Sequence, residues 1–517
     1  MPGITTMSEP IVRGSAIKGD VTIDTDVVVV GSGASGAVVA AHLAEFGQRV
    51  VVLEEGPPVS HEQYGTWRPS ESMRHIWRDG GMSFAVGLGD TPTINVTMGR
   101  ALGGSSLLTG GVCFRSPDAV LDVWSRVHGL RDMTPKNMEA CFLDVERASH
   151  IDEVPASMRS RGTLLFAEGA RRSGFELKPM KRNTKDCNGC GRCNFGCPHG
   201  AKMSVDMTYL PRARTAGARM YTDCLVEKIL TKGDRAVGVE GRLLDGTRAK
   251  KRGRFEVHAR RVVVAAGAYH SPLLLMRSGI GKTSGQVGRN LALHPAFRVI
   301  ARFDQLVQGW KGALQSMWSD HFEDDRITLT GLFVPPGVLA ATMPGIGVEL
   351  TKHAAHIPHL AMFGGLIHDE GGGGVRRGFG REPFVTYAMT RADRALVPKI
   401  WRAMAEVFFA AGAREVFLPI LGERGFDADR LRATDLSKVP APRIECTSQH
   451  PLGTCRMGVS REHSVVDPDG QAWDLRDLYV VDGSILPTSL GVNPQESIMA
   501  MATRIAWKLR DRPLANR

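Results

Sequence analysis

The chain of 517 residues is 43% hydrophobic and 23% charged, and its formal net charge is +11. This length allows two or three domains with sizeable cores, and the composition is that of an ordinary globular protein. The longest basic run is only Lys250–Arg252, and no block of basic residues alternates with aromatics. The charge pattern therefore argues against nucleic-acid binding.

The segment before Thr25 contains no apolar h-region, so the sequence predicts no secretory signal. No stretch approaches the roughly 20 apolar residues that a membrane-spanning helix needs, so no integral membrane segment is expected. The chain has nine cysteines, and without a signal they suggest reduced thiols or metal ligands rather than disulfides. These features predict a cytoplasmic protein.

The stretch from Asp26 to Gly56 has the pattern of one complete βαβ unit. The β-branched run Val27–Val30 predicts a strand that is covered on both faces. A helix is expected over Ala37–Phe46 and a second strand over Arg49–Leu53. A unit of this kind is typical of a doubly wound α/β sheet.

Between the first strand and the helix, Gly31, Gly33 and Gly36 form a GxGxxG motif. The first glycine makes a tight turn, the second admits a pyrophosphate close to the backbone, and the third lets helix and strand pack. Glu54 ends the second strand, about 20 residues after the motif, where an acidic side chain reaches a ribose hydroxyl. These features in this order predict a dinucleotide site; the alternative is a glycine turn in an empty doubly wound sheet.

The stretch Met98–Gly111, MGRALGGSSLLTGG, has two glycine pairs around Ser105 and Ser106. A backbone so poor in side chains exposes N–H groups and allows a flat ring system to lie against it. Its three leucines argue against a solvated surface loop, which would be polar throughout.

Cys187, Cys190, Cys193 and Cys197 are spaced C-x2-C-x2-C-x3-C and are followed by proline, the run that holds iron–sulfur clusters in bacterial ferredoxins. The glycines between them permit the turns that such a cluster needs. Only one run is present, so the fourth ligand would be Cys197 or a distant thiol. A reduced thiol cluster that packs a lid and a zinc site are the alternatives.

Three segments beyond the cysteine run, Met207–Arg212, Met220–Leu230 and Ala236–Arg242, predict strands joined by turns. Arg261–Ala266 predicts another buried strand, which runs into a glycine and a helix. A junction of this kind offers N–H groups to a bound anion.

Residues 299–447 alternate between apolar and polar, which predicts half-exposed antiparallel strands with one face over a substrate cavity. Within them, Gly371–Gly380 predicts a mobile loop, and Ala395–Gly412 and Asp427–Lys438 predict helices. No catalytic constellation stands out, so this part of the chain is expected to set specificity.

The C-terminal part contains a final predicted strand, Leu478–Ser484, that ends in Asp482-Gly483. Beyond it, Asn493 as N-cap and Pro494 at the first helical position predict a helix over Glu496–Leu509. The N-terminus of this helix would place a positive dipole near a bound anionic group.

Four segments resemble, in the same order, the signatures of the glucose–methanol–choline (GMC) oxidoreductases, which are FAD enzymes that oxidise alcohols. They are GRALGGSSLL at Gly99–Leu108, GAYHSPLLLMRSGIG at Gly267–Gly281, VGRNLALHP at Val287–Pro295, and the C-terminal run from His450 to Ala502. The cysteine run resembles a loop of the cholesterol-oxidase-like and long-chain alcohol oxidase members. One departure is Thr109, where the family usually has Asn or His.

The resemblance implies an α/β fold (α+β overall), with a Rossmann-like FAD-binding domain and a second, mainly antiparallel-sheet substrate domain. We expect residues 18–120, 205–300 and 446–517 in the FAD-binding domain, and residues 121–204 and 301–445, including a cysteine-rich loop at 187–197, in the substrate domain. Covalent flavin usually uses a histidine near the first glycine-rich signature. None occurs between His75 and His128, so non-covalent FAD is expected.

The expected FAD-binding residues combine the GxGxxG interpretation with those that the resemblance implies. They are Gly31, Gly33, Ser35, Gly36, Glu54, Glu55, Gly99, Arg100, Gly103, Gly104, Ser105, Ser106, Val226, Ala266, Gly267, Asp482, Gly483, Asn493, Pro494 and Gln495.

The motif QHPLGTC around His450 resembles the family's segment around its catalytic histidine. A neutral histidine accepts the alcohol proton as a hydride leaves for flavin N5, so His450 is the predicted base. Asn493 takes the second catalytic position, where an amide hydrogen-bonds the alcohol oxygen. Other histidines, among them His294, His270 and His463, are expected to be structural or on the surface.

The substrate is expected to be a bulky, apolar small-molecule alcohol such as a sterol, terpenoid or long-chain alcohol. Polyols or sugars are the alternative, and a non-redox lyase reaction with structural FAD is another. An iron–sulfur cluster at the cysteine run would pass electrons from the flavin to an acceptor protein or a quinone.

Overall fold

The computed structural model describes residues 11–246 and 251–514, and two large β-sheets organise them. In the first sheet, Val21–Val30 lies between the parallel strands Val50–Leu53 and Lys251–Val264. Its residues Val27–Val30 are buried on both faces, as their β-branched run predicts. The order across the first sheet is Val12–Arg13, Arg219–Thr222, Val50–Leu53, Val21–Val30, Lys251–Val264, Arg235–Leu244 and Cys224–Lys232, and Leu478–Val480 also pairs with Lys251–Val264.

The predicted βαβ unit is present in this sheet. Its helix, Ala34–Glu45, begins three residues before the expected start at Ala37 and packs against the C-terminal helix Gln495–Arg510. Valines of the strands and alanines of the first helix share the larger hydrophobic core. Small alanine side chains let the two helices lie close to the sheet and to each other.

The second sheet is mainly antiparallel and has its own core. The predicted strands in residues 299–447 are present, and three further pieces come from outside that range. The order across this sheet is Gly372–Arg377, Pro383–Ala388, Phe84–Gly87, Ile94–Val96, Cys446–Ser448, Ala296–Arg302, Leu360–Ile367, Ile327–Gly331, Met317–Ser319 and Lys178–Pro179, and Glu415–Phe417 also pairs with Ala296–Arg302.

The sheets therefore cut across the predicted domain boundaries at three places, one of which is the strand Ala296–Arg302 of the second sheet, which spans the boundary at residue 300. The strands at Phe84–Gly87 and Ile94–Val96, expected in the FAD-binding domain, pair within the second sheet, and so does Cys446–Ser448. The division of the chain into domains stays a prediction.

Helices and a small two-stranded sheet complete the fold. Ile151–Glu153 pairs with Lys181–Asn183 in a separate two-stranded sheet. No helix within 11–246 and 251–514 is long and apolar enough to cross a membrane. The α-helices of these ranges are Ala34–Glu45, His61–Thr66, Pro69–Ile76, Asp118–Arg126, Pro135–Ala148, Arg161–Arg172, Tyr209–Thr215, Gly267–Arg277, Pro336–Ala341, Val348–Ala355, Arg391–Ala410, Ala428–Ala433 and Gln495–Arg510.

Two element predictions are wrong. Met207–Arg212 was expected to be a strand, but Tyr209–Thr215 is a helix, because Leu210 and Ala213 are spaced to reach the core from one helix face. The glycine-rich segment 371–380 was expected to be a mobile loop, but Gly372–Arg377 is a strand paired with Pro383–Ala388. Glycine-rich composition does not reveal pairing, which depends on the neighbouring strand.

Two helix boundaries also differ. The N-cap of the C-terminal helix is Pro494 rather than the expected Asn493, and the helix begins at Gln495. The predicted helix Asp427–Lys438 is interrupted: Ala428–Ala433 is α-helical and Leu436–Lys438 forms a separate 3-10 turn.

Candidate active site

A large cavity lies between the two sheets, at the carboxyl ends of the parallel strands of the first sheet. Its empty space, including the part open to solvent, is about 2390 Å³. Gly36, Arg100 and Gly103 are outside its wall. The predicted residues on the wall are Gly31, Gly33, Ser35, Glu54, Glu55, Gly99, Gly104, Ser105, Ser106, Val226, Ala266, Gly267, His450, Asp482, Gly483, Asn493, Pro494 and Gln495.

The three motif glycines differ in what surrounds them. A Cβ on Gly31 would lie 2.3 Å from the carbonyl oxygen of Ala265, and one on Gly36 would lie 2.0 Å from that of Gly31. Packing within the chain therefore requires these two glycines. In the described ranges, a Cβ on Gly33 would meet only the Cα of Gly104, at 4.0 Å. The open cradle at Gly33 matches the place of a dinucleotide pyrophosphate.

The glycine-rich segment after Met98 joins this turn to form one backbone surface. The N–H of Gly103 donates to the hydroxyl of Ser32 at 3.0 Å. A Cβ on Gly104 would lie 2.8 Å from the Cα of Gly33, so the two backbones touch. The exposed backbone predicted from the glycine pairs therefore faces the cavity beside the GxGxxG turn.

Glu54 is buried next to the turn. Its Oε2 accepts hydrogen bonds from the N–H and the hydroxyl of Ser32, at 3.1 and 2.6 Å, and its Oε1 accepts from the N–H of Gly56 at 2.8 Å. Burial raises the pKa of this carboxyl. The three bonds fix Glu54 on the cavity wall, at the place where the fingerprint puts a ribose.

A charged network lines the same cavity. Of its members, the sequence predicts Glu55 as a cofactor-binding residue and His270 as a structural or surface histidine. Arg78 lies 2.5 Å from Glu55 and 3.1 Å from Glu382, and Arg381 lies 3.3 Å from Glu55. His270 Nε2 is 3.0 Å from Glu382. Burial opposes ionisation of Glu55, but the two arginines outweigh it and lower its pKa to about 2. The network ties the first strand unit to the hairpin end of the second sheet.

Asp482 holds the backbone at Gly267, where a strand of the first sheet runs into a helix on the cavity wall. Its Oδ2 accepts from the N–H of Gly267 at 2.9 Å and from the hydroxyl of Ser271 at 2.5 Å, and its Oδ1 accepts from the N–H of Ser484 at 2.8 Å. The carboxylate is therefore occupied by donors of its own chain. Its effect on a cofactor would come through the backbone that it holds at Gly267.

His450 and Asn493 meet on the cavity wall, although 43 positions separate them in the sequence. The amide Nδ2 of Asn493 is 3.1 Å from His450 Nε2. In the part of the chain that the structure describes, His450 Nδ1 and Asn493 Oδ1 have no hydrogen-bond partner. Burial and the neighbouring His294 lower the pKa of His450 well below its usual range. The imidazole is therefore neutral near pH 7 and can accept a proton.

His294 lies directly behind His450. Their ring centroids are 5.2 Å apart and the rings meet edge to face at 70°. His294 Nε2 accepts the N–H groups of Leu490 and Gly491 at 2.9 and 3.2 Å, and burial lowers its pKa to about 3. His294 thus holds the loop that leads to Asn493. The sequence predicts a structural or surface histidine at this position. Its place in VGRNLALHP, a segment that resembles a family signature, was the signal that could have pointed to the site.

Asp369 supports this loop from the other side and was not identified from the sequence. Its Oδ1 accepts from the N–H of His294 at 3.2 Å and from the hydroxyl of Ser489 at 2.6 Å. Its Oδ2 accepts from the N–H of Leu293 at 3.0 Å and from the hydroxyl of Tyr387. Asp369 belongs to no motif, so only the fold reveals its place.

The helix that follows Asn493 is held by Thr109. The Thr109 hydroxyl donates to Gln495 Oε1 at 3.0 Å. The residue that departs from the family pattern therefore orients Gln495, the first residue of the C-terminal helix, within the cavity wall.

The four cysteines of the predicted cluster line a separate small cavity, whose empty space, including the part open to solvent, is about 300 Å³. Arg182 Nη2 lies 3.0 Å from Cys193 Sγ. In the described ranges, no three His, Cys, Asp or Glu side chains are grouped as a metal site. The iron–sulfur cluster and the zinc site considered for this run therefore stay predictions.

A buried lysine connects this cavity to the active-site wall. Lys202 Nζ donates to the carbonyl oxygens of Leu107, Thr109 and Cys193 at 2.6, 3.0 and 2.8 Å. Burial lowers its pKa to about 8. Lys202 therefore fastens the cysteine loop to the glycine-rich segment.

Known proteins resemble this chain in sequence and in structure. Models of the GMC oxidoreductase family match residues 25–296 and 382–502. A GMC-type oxidoreductase of Mycobacterium tuberculosis is 37% identical over 487 residues, which cover 93% of this chain and 75% of the relative. A long-chain-alcohol oxidase of Arabidopsis thaliana is 28% identical over 524 residues, which cover 95% and 67%. The solved structure of pyridoxine 4-oxidase from Mesorbium loti matches 95% of this chain and 100% of that chain, with a TM-score of 0.72 and 21% identity.

The fold and the family matches define an oxidoreductase built on a dinucleotide-binding sheet. The chain belongs to the GMC oxidoreductase family, which confirms the resemblance seen in its signatures. The mixed α/β fold class is confirmed as well. Family membership supports FAD as the cofactor, and the open cradle at Gly33 fits it.

Proposed function

We propose that this chain oxidises the CH–OH group of a bulky, apolar alcohol, with non-covalent FAD as the hydride acceptor. The observation that carries the proposal is the contact between His450 and Asn493, 3.1 Å apart on the wall of the cavity. This contact brings a neutral base and an amide donor to one point beside the glycine-lined surface.

FAD, when bound, supplies the acceptor for the hydride. The alcohol would replace the direct hydrogen bond between His450 and Asn493: its hydroxyl would donate to His450 Nε2, and its oxygen would accept from Asn493 Nδ2. As the C–H bond breaks, His450 takes the hydroxyl proton, and the amide stabilises negative charge that develops on the oxygen. The low pKa of the buried imidazole keeps the ring neutral before the reaction. Because the Asn493 amide Nδ2 can only donate, its contact with Nε2 assigns Nε2 as the unprotonated nitrogen.

The substrate class follows from the opposite wall of the cavity, which the second sheet supplies. Leu332 and Leu366 lie there, and Gly364 leaves room beside them, whereas Arg298, Gln315 and Glu445 add polar groups to the same wall. The two leucines and the open space at Gly364 favour a bulky apolar group on the ligand. The Arabidopsis relative, a long-chain-alcohol oxidase by name, supports this class. We expect kcat/KM for long-chain alcohols or sterols to exceed that for polyols by at least about tenfold.

The test of the proposed base is His450→Ala, with the exposed His463→Ala as the matched control. Flavin reduction by alcohol is followed anaerobically in a stopped-flow instrument. Loss of a general base should slow it about 10²–10⁴-fold in His450→Ala only. Equal flavin content and melting temperature exclude misfolding. A loss below about tenfold would contradict the assignment.

A wild-type protein that converts alcohol-derived substrates without flavin bleaching would indicate the lyase alternative.

The iron–sulfur interpretation of the cysteine run is a separate proposal, favoured by one observation. Arg182 and Lys202 place two buried cations beside the cavity that all four cysteines share, and cations stabilise thiolates. A cluster there would connect the flavin to a one-electron acceptor, either a protein or a quinone. Iron and acid-labile sulfide near stoichiometric with flavin, in anaerobically purified protein, would support it. Their absence after reconstitution would leave the run as a thiol-lined loop, with oxygen or a quinone as the acceptor to test.

A further inference from the structure

A concentrated apolar surface lies at the free end of the second sheet. Six large apolar side chains there are between 40% and 105% exposed. Monomeric proteins rarely leave such residues clustered unless the surface binds something. This sheet-end patch consists of Met82, Phe84, Val86, Leu88, Phe379 and Phe384.

The strand register places these residues together. Val86 pairs with Thr386, and Arg376 pairs with Phe384. Paired residues, and residues two positions apart on one strand, share a sheet face. Phe84, Val86, Phe384 and Arg376 therefore form one continuous outer surface on the last three strands of the sheet.

Phe379 gives the patch a projecting tip. It lies in the turn between Gly372–Arg377 and Pro383–Ala388, and its side chain is fully exposed. A concave apolar groove suits a protein segment, whereas an aromatic ring at the end of a hairpin suits insertion into a soft interface.

The charge around the patch is positive. Arg376 and Arg377 are exposed beside it. Two acidic residues lie close to the patch in the sequence: Asp90 follows Leu88, and Glu382 lies between Phe379 and Phe384. Asp90 is 3.1 Å from Arg394, and Glu382 is 3.1 Å from Arg78. The whole chain carries a net charge of +11. An anionic surface is therefore the complementary partner.

We propose that the sheet-end patch docks this protein on an anionic membrane surface, with its aromatic side chains at the acyl boundary and its arginines against the headgroups. Arg381 and Glu382, which lie between Phe379 and Phe384 in the sequence, also line the active-site cavity. Docking would therefore bring that wall close to lipid. This binding does not depend on the proposed oxidation, and its test does not use activity.

The holoenzyme is mixed with vesicles of phosphatidylcholine, with and without phosphatidylglycerol, and bound protein is separated by flotation. We expect binding to the anionic vesicles that weakens as salt is raised. Removing the tip and face aromatics in Phe379→Ser/Phe384→Ser should weaken partitioning at least about tenfold. Arg376→Gln/Arg377→Gln should weaken it about tenfold on anionic vesicles only. Ile346→Ser, which changes an exposed apolar residue elsewhere, is the control and should bind like the wild type.

Three results would overturn the proposal: no vesicle binding by the wild type at low salt, equal binding by Phe379→Ser/Phe384→Ser, or an equal loss in Ile346→Ser. If the wild type does not bind vesicles but self-associates, and Phe379→Ser abolishes the association, a second copy of this chain is the occupant instead. Phe379→Ser alone, at the turn, serves as the variant least able to disturb folding. Melting temperature and flavin content confirm that each variant is intact.

Discussion

The cradle at Gly33 can be filled by a single methyl group. Gly33 has φ −67° and ψ −166°, which alanine adopts without strain, and a Cβ there would lie 4.0 Å from its nearest neighbour, the Cα of Gly104. Gly33→Ala should therefore leave the flavin-free protein as stable as the wild type, or more stable by about 0.4–1 kcal/mol, because alanine restricts the unfolded chain.

The same methyl group would stand where a pyrophosphate approaches the backbone. Overpacking of a close contact costs about 1–3 kcal/mol, which corresponds to FAD binding weaker by roughly five- to 150-fold. The matched variant is Gly36→Ala, whose Cβ would lie 2.0 Å from the carbonyl oxygen of Gly31. It should instead destabilise the fold, by about 1–3 kcal/mol, since backbone must move.

Two assays separate these effects: urea unfolding of the flavin-free protein, and FAD titration followed by quenching of flavin fluorescence. The expected pattern is weak FAD binding with normal stability in Gly33→Ala, and reduced stability in Gly36→Ala. A Gly33→Ala protein that binds FAD with the wild-type Kd would refute the placement of the pyrophosphate at this turn.

Three further predictions concern Asn493, Asp369 and Glu496. Asn493→Leu should slow flavin reduction about a hundredfold, since it removes a donor to the alcohol oxygen, and stopped-flow absorbance checks this. Asp369→Asn should lower the free energy of unfolding by about 1–3 kcal/mol, because an amide cannot accept from all four donors; urea unfolding checks this against its exposed neighbour Glu370→Gln. Burial and Glu146 raise the pKa of Glu496 to about 8, so its folded state holds a proton that the unfolded state releases. Stability should therefore fall as pH rises from about 4.5 to 8, and the fall should be smaller in Glu496→Gln, as measured by melting temperature against pH. A fall of equal size in both proteins would contradict this role of Glu496.

The sequence predicts the first strand unit because its signals are local. Strand, turn, helix and acidic residue follow one another within Asp26–Gly56, and each has its own residue preference. His450 and Asn493 were found through motifs that resemble the family's, and the fold brings them within 3.1 Å. Their chemical roles stay predictions until the variants are measured.

The supporting contacts could not be found in this way, because they join distant segments. Asp369 meets His294 and Ser489 only after the second sheet has formed, and Arg78 meets Glu382 across more than 300 positions. The glycine-rich composition of Gly371–Gly380 predicts a mobile loop, but Gly372–Arg377 pairs as a strand. A Cβ on Gly373 would lie 2.1 Å from the carbonyl oxygen of Thr386, so glycine there allows close strand pairing.

The central claim is that this chain uses flavin to oxidise an alcohol. The most direct measurement is an anaerobic titration of the purified protein with a long-chain primary alcohol, followed by the visible flavin absorbance. We predict that the wild-type protein shows flavin absorbance bands and that the alcohol bleaches them in proportion to the flavin content. In His450→Ala, the same bands should persist on the same timescale. Protein that purifies without flavin, or with flavin that none of the apolar alcohols or polyols reduces, would contradict it.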